Sequence, residues 1–349
     1  MKTESSTLQE IISQPEVWQS TLNSFESCRL DLDIFLGQIE FDKIVVIGCG
    51  STYYLSQTAS AILTRNSGLS ARAIPSSELW FYPEQYLSPK TLLLTISRSG
   101  TTTETSRAAN KFREYTNGKV LAITCYPESQ LAKQADFVLT APAAQEESVA
   151  QTRSFTSMLL LVQALSASLG LDNAKLARQK ELPNKLKMLV EKTGQLSHIL
   201  GGDHSIERIY FLGCGPLYGI ANEAMLKTKE MSLTISEAYH PLEFRHGPMS
   251  MVNNQTLIVG LLSDTCVQEE INVLQDMQKL GGRILALVEN DSCFVDWLPD
   301  HLIELNSGMD EWDRVALYLP LLQQLAYQRA ISKKLNPDQP LNLTAVIEL

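Results

Sequence analysis

The chain has 349 residues, is 44% hydrophobic and 19% charged, and carries a formal net charge of −10. That is too long for one simple core and too apolar for disorder, so two domains of ordinary size are expected. The acidic balance argues against a nucleic-acid or anionic-membrane partner, and no apolar run is long enough for a membrane span.

The start, MKTESSTLQE, is polar and lacks the apolar core of a signal peptide, so a cytoplasmic protein is expected. Residues 1–38 read as an N-terminal helical segment, with one or two helices between Leu8 and Leu36. A first α/β domain is expected over residues 39–170. Its opening, VVIGCGST from Val45, is an apolar strand, a Gly-rich turn and a helix start. Gly48 and Gly50 do not make a dinucleotide fingerprint, because Tyr53 takes the place of the third glycine. No cofactor is expected, and Ser51 and Thr52 read as ligand donors or helix caps.

The most informative stretch is TISRSGTTTE, Thr95 to Glu104. It follows the buried-strand pattern TLLL from Thr91 and precedes a helical pattern from Glu104 to Tyr115. Helix N-termini carry unsatisfied N–H donors and partial positive charge, which suits a phosphate. One or two hydroxyls there would be ordinary caps; Ser97, Ser99, Thr101, Thr102 and Thr103 around Gly100 favour an oxyanion site. Further on, Arg153 in QTRSFT could hold a phosphate or carboxylate, but a surface pair with Glu146 or Glu147 is the stronger reading.

The chain then repeats itself. At an offset of 165, Gly48, Cys49, Gly50, Tyr53 and Ala59 fall on Gly213, Cys214, Gly215, Tyr218 and Ala224. Gly118 with its apolar run answers Gly282 with its own at an offset of 164. Short buried strands alternating with helices imply doubly wound parallel sheets. The boundary is expected between Gly170 and His204, with residues 171–203 a charged helical linker, 204–335 the second domain and 336–349 an extended tail. Where the first copy has Ser97-Arg98-Ser99-Gly100, the second has Leu261-Leu262-Ser263-Asp264, and an aspartate would repel phosphate. The second domain should therefore do something else.

It holds the acid–base candidates. Glu223, Lys227 and Glu230 share a helix face, where most such groups are solvated ion pairs. Beyond Glu237, His240 and Glu243, His246 precedes Gly-Pro and so sits in a turn, from which it can enter a cleft. The six cysteines, Cys28, Cys49, Cys125, Cys214, Cys266 and Cys293, form no C-x-x-C pair and no zinc spacing. They read as reduced thiols, and no metal is expected.

The order GCGST, SRSGTTTE, SVAQTRSFTS, LKTKEMS, EFRHGP and NPDQPLNL resembles the sugar isomerase (SIS) domain family from about Ile44 onward. It is similar to the isomerase half of glucosamine-6-phosphate synthase and to the stand-alone double-SIS isomerases and deaminases. The resemblance implies two tandem SIS domains of flavodoxin-like, doubly wound type. It implies a sugar-phosphate ligand held by Ser51, Thr52, Ser97, Arg98, Ser99 and Thr102, with Val149 and Ala150 lining the sugar through their backbone. It implies Glu230 as the base between C1 and C2, His246 as the ring-opening group supplied by a neighbouring subunit, and hence a homodimer with shared active sites. Two features depart from the synthase pattern. The resemblance begins almost at the first residue, so no glutaminase half is expected. Leu341 and Ala345 stand where the synthase tail has an arginine and a lysine. Both departures favour a deaminase or plain isomerase over a synthase; a deglycase or a non-catalytic sensor remain the rival expectations.

Overall fold

A computed structural model describes residues 5–344. Among the described residues the chain divides into two compact units, one of residues 5–11 with 184–343, the other of residues 12–183 with Thr344.

In the unit of residues 12–183, five strands form one parallel sheet: β1 (Lys43–Gly48), β2 (Ser70–Pro75), β3 (Thr91–Ile96), β4 (Val120–Thr124) and β5 (Phe137–Thr140). The order is β2-β1-β3-β4-β5, with Ile47 beside Thr95 and Thr95 beside Ala122. Strands β3 and β4 are buried throughout, as apolar strands covered on both faces must be. One face packs Val45, Ile47, Leu93, Val120 and Phe112 into a core. Helix Arg153–Leu169 is buried on almost every side and packs against helices Gln14–Gly37 and Ser51–Ser67.

The other unit repeats the plan with β6 (Arg208–Leu212), β7 (Ile235–Tyr239), β8 (Thr256–Leu261), β9 (Arg283–Val288) and β10 (His301–Glu304). Its order, β10-β9-β8-β6-β7, is the same permutation read from the other edge. The doubly wound parallel architecture expected from the repeat is thus present twice. In each sheet the strand order reverses beside the first strand, between β1 and β3 or between β6 and β8, and that crevice is where such sheets bind ligands.

One local expectation is corrected. The tail from Asn336 is built of turns rather than extended chain as far as it is described; Ala345 lies outside the described residues. The N-terminal segment is two helices, Ser6–Ile12 and Gln14–Gly37, and the division between units falls beside their junction. The reason lies in the tail. Asp338 accepts hydrogen bonds from Ser6 N–H at 3.1 Å, Thr7 N–H at 2.8 Å, Thr7 Oγ1 at 2.7 Å and Ser5 Oγ at 2.6 Å. A carboxylate remote in sequence therefore caps the first helix.

Burial alone would raise the Asp338 carboxyl, but the Ser5, Thr7 and Ser6 hydrogen bonds outweigh it and hold it below the usual carboxylate range. Asp338→Ala is expected to cost about 1 kcal/mol, read as a lower urea midpoint at unchanged slope. Because the folded value is depressed, the wild type should lose this contribution as pH falls from the ordinary carboxyl range through the folded one. The variant should be flatter across that window, and identical acid profiles would contradict the cap.

Candidate functional site

Adjacent parallel strands β1 and β3 deliver two turns to the same edge of their sheet. After β1, Gly50 takes a left-handed φ of 54° and helix Ser51–Ser67 begins. Thr52 turns its hydroxyl back on this loop, accepting from Cys49 N–H at 2.9 Å and donating to Cys49 C=O at 3.0 Å. Thr52 is therefore first a clasp on its own turn. A Cβ on Gly48 would lie 2.4 Å from the Thr52 carbonyl, so only glycine lets the helix start this close. Burial raises the neighbouring Cys49 thiol, with Ser76 and Thr105 hydrogen bonds opposing, so no activated thiolate stands here.

The turn after β3 is fastened to the end of β4. Ser97 N–H donates to Ile123 C=O at 3.1 Å, Cys125 N–H and Thr124 Oγ1 donate to Arg98 C=O, and Leu131 N–H donates to Gly100 C=O at 2.9 Å. Gly100 has φ 65°, and a Cβ there would fall 2.0 Å from Ser129 Oγ. The hydroxyls gather in pairs: Ser97 Oγ lies 3.3 Å from Thr102 Oγ1, and Thr101 Oγ1 lies 3.1 Å from Ser99 Oγ. Ser97 Oγ also accepts from Gly100 N–H, and Ser99 Oγ from Thr101 N–H. Such hydroxyls can reorient toward an anion at a helix start, here that of Thr103–Tyr115. Thr101 joins the group although the resemblance did not single it out. A cleft among Gln38, Phe41, Pro89, Leu92 and Lys119 lies at the opposite, amino ends of the strands, away from where α/β sheets bind ligands.

Arg98 departs from expectation. Its guanidinium points away from solvent to Glu146, at 3.3 Å, and to the Val149 carbonyl, at 3.0 Å. The two side chains are 8% and 0% exposed. Glu146 further accepts from Thr152 N–H at 2.7 Å and Thr152 Oγ1 at 2.9 Å, and from Ser154 N–H at 3.0 Å and its hydroxyl at 2.5 Å. Of the two partners expected for Arg153, Glu146 or Glu147, the first is taken instead by this buried pair with Arg98. Arg153 instead donates to the Gln145 carbonyl and to Ser13 Oγ. Arg98 thus joins the hydroxyl turn to the loop bearing Val149 and Ala150. In that loop the Ala150 carbonyl accepts from Ser148 Oγ at 3.1 Å. Sequence reasoning missed Glu146 as this anchor because the two residues are 48 positions apart.

The second copy has a different lining. Taken from strand ends, Asp264 stands where the first copy has Ser99, one position from the sequence pairing. Asp264 pairs with the buried Arg314. Asp264 N–H and Thr265 Oγ1 donate to Glu311 at 2.6 and 2.7 Å, so an internal carboxylate occupies the anion position. Glu311 follows Glu146 by the repeat offset of 165.

Helix Leu217–Ser232 carries Glu223, Lys227 and Glu230. They are not solvated pairs: Lys227 is 1% exposed, lies 3.4 Å from the fully buried Glu223, and hydrogen-bonds Glu230, whose side chain is 17% exposed. Glu230 is the carboxylate of this row with an open side. His246 lies in the expected turn and is exposed, its N–H bound to Glu243 C=O at 3.0 Å. His240 stacks on Tyr218, centroids 3.8 Å apart, and burial lowers its pKa against the opposing Glu243 charge.

The buried ion pair yields a prediction. Arg98→Met should destabilise the protein by about 3 kcal/mol, because it strands the Glu146 charge in the interior. An unchanged urea midpoint would assign Arg98 to ligand contact alone.

Known proteins bear the same plan. The SIS domain model matches residues 39–168 and 204–330. The glutamine–fructose-6-phosphate aminotransferase of Pyrobaculum aerophilum is 30% identical over 352 residues, covering 97% of this chain and 57% of the relative. The chain thus spans little more than half the length of such curated relatives. Among solved structures, glucosamine-6-phosphate deaminase from Thermotoga maritima superposes with a TM-score of 0.80 at 29% identity, covering 99% of this chain and 100% of that one. Tagatose-6-phosphate ketose/aldose isomerase from Escherichia coli superposes with a TM-score of 0.87 at 25% identity, covering 96% and 95%. No described helix is long and apolar enough to cross a membrane. Two matched segments, each on its own sheet of the same strand order, make this chain a tandem member of the SIS domain family.

Proposed function

We propose that this chain is a sugar-phosphate aldose–ketose isomerase of deaminating type, converting glucosamine 6-phosphate to fructose 6-phosphate and ammonia. The observation that carries the reading is the hydroxyl turn Ser97–Thr102 at the reversal point of the first sheet, held by Gly100 and by the Arg98–Glu146 pair. The end-to-end match with the Thermotoga deaminase supports the substrate.

In this reading Ser97, Ser99 and Thr102 hold the phosphate, Ser51 and Thr52 close its rim, and Val149 and Ala150 line the sugar. Anchoring the non-reacting end lets binding energy orient the reacting carbons. Glu230 moves the proton between C1 and C2. Two carboxylates share the Lys227 ammonium, Glu223 buried behind it and Glu230 on the open side, so the lysine fixes the base's position. His246 opens the ring from a neighbouring subunit of a homodimer, a role open to an exposed turn residue. Once the proton taken from C2 has been delivered to C1, the 2-amino group is left as an imine at C2, and water hydrolyses it to the ketose and ammonia.

The test is incubation with glucosamine 6-phosphate, following ammonia and fructose 6-phosphate together. Equal amounts of both are expected. Interconversion of aldose and ketose phosphates without ammonia would favour the plain isomerase chemistry named for the Escherichia coli neighbour. Tight binding without turnover would make the protein a sensor.

Glu230→Gln should lower turnover by about 10²–10⁴-fold while leaving phosphosugar affinity intact. Ser99→Ala with Thr102→Ala should weaken that affinity by roughly 100-fold, at about 1.5 kcal/mol for each hydrogen bond to a charged group. Unchanged affinity would remove the turn from the phosphate's role. Mixing inactive Glu230→Gln and His246→Ala chains should restore part of the activity; no recovery would remove the shared site.

A further inference from the structure

The second sheet reverses its strand order between β6 and β8, and the residues gathered there differ in kind from those of the first. Cys214 lies in the Gly-Cys-Gly turn after β6. Cys266 caps helix Val267–Lys279, and Glu270 follows it by one helical turn on the same face. Cys214 Sγ lies 3.1 Å from Cys266 Sγ and 3.1 Å from Glu270 Oε1. All three donor atoms fall within 4.8 Å of one another. At the repeat offset of 165 the first copy has Cys49, Thr101 and Thr105 in these places, so one thiol is shared while two hydroxyls have become a thiol and a carboxylate. The cysteines are scattered in sequence and carry no zinc spacing, yet two of them meet here, because neighbouring strands bring together two turns separated by 52 residues of chain.

We propose that Cys214, Cys266 and Glu270 form a binding site for one soft divalent cation of the zinc class. Two sulfurs and one carboxylate oxygen are the donors such an ion selects. The carboxylate is already oriented: Ser263 donates its N–H at 2.7 Å and its hydroxyl at 3.1 Å to Oε2, which leaves Oε1 toward the sulfurs. Anchoring of this kind by outer groups is what metal ligands require. Bond lengths of about 2.3 Å to sulfur and 2.1 Å to oxygen need the trio to spread by roughly half an ångström, within reach of small rotamer shifts. Binding replaces the two thiol protons with two metal–sulfur bonds and adds one metal–oxygen bond, with no change of oxidation state. A water or the Ser263 hydroxyl completes a tetrahedron. The ion would tie the turn that opens helix Leu217–Ser232, which carries Glu230, to the turn after β8.

The test is titration of the full chain, stripped with a chelator and kept reduced by a phosphine, with Zn²⁺ and separately with Co²⁺. One ion per chain is expected by elemental analysis, with thiolate-to-cobalt charge transfer in the near ultraviolet. Cys214→Ser and Cys266→Ser should each abolish that band, Glu270→Gln should weaken uptake at least 10-fold, and Cys49→Ser should change neither. Circular dichroism establishes that each variant is folded, and Cys→Ala replacements serve where serine disturbs folding. No stoichiometric uptake by the reduced wild type, or uptake that survives in the Cys214→Ser/Cys266→Ser double variant, overturns the proposal. So does a chain that binds no ion when reduced and forms only a Cys214–Cys266 disulfide on exposure to peroxide.

Discussion

The first domain's hydroxyl turn depends on how β3 ends. Ser97, Arg98 and Gly100 each give a backbone group to β4 or the segment after it, so the turn cannot drift from the sheet edge. Gly100 then occupies a place where a side chain would collide with Ser129. Behind it the Arg98–Glu146 pair, desolvated and satisfied by Thr152 and Ser154, clamps the loop through Val149. A hydroxyl can serve a phosphate only if its Cα is held still, and these three restraints hold several at once.

The second copy shows what the same frame does with other side chains. Glu311 takes the backbone and hydroxyl donors of the turn, Arg314 neutralises Asp264, and the crevice between β6 and β8 is lined by thiols and a carboxylate. The strand order is the same in the two units while the side chains of the turns differ, because topology is set by apolar strands and a turn's lining by a few positions.

Helix Leu217–Ser232 illustrates how burial changes the meaning of a charge row. Spacing alone puts Glu223, Lys227 and Glu230 on one face, and such rows are usually wet. Here helix Tyr318–Ser332 packs against it, and Lys227 is enclosed. An enclosed ammonium must be paired, so the two carboxylates become obligatory partners with unequal access to solvent.

Much of this was legible in the chain itself. Apolar runs bounded by glycine announced the strands, their repetition announced two like sheets, and the turn after β3 showed its cluster of hydroxyls at a helix start, because these signals are local and periodic. The partners of Arg98, the capping of the first helix by Asp338 and the meeting of Cys214 with Cys266 were not legible. Each joins residues tens or hundreds of positions apart, and a side chain's neighbour across that distance is chosen by strand order and packing. Periodicity thus determined the architecture and the location of the hydroxyl-rich turn. Which charges are buried, which are paired and which thiols touch was decided only when the chain closed on itself, since burial is a property of the packed whole.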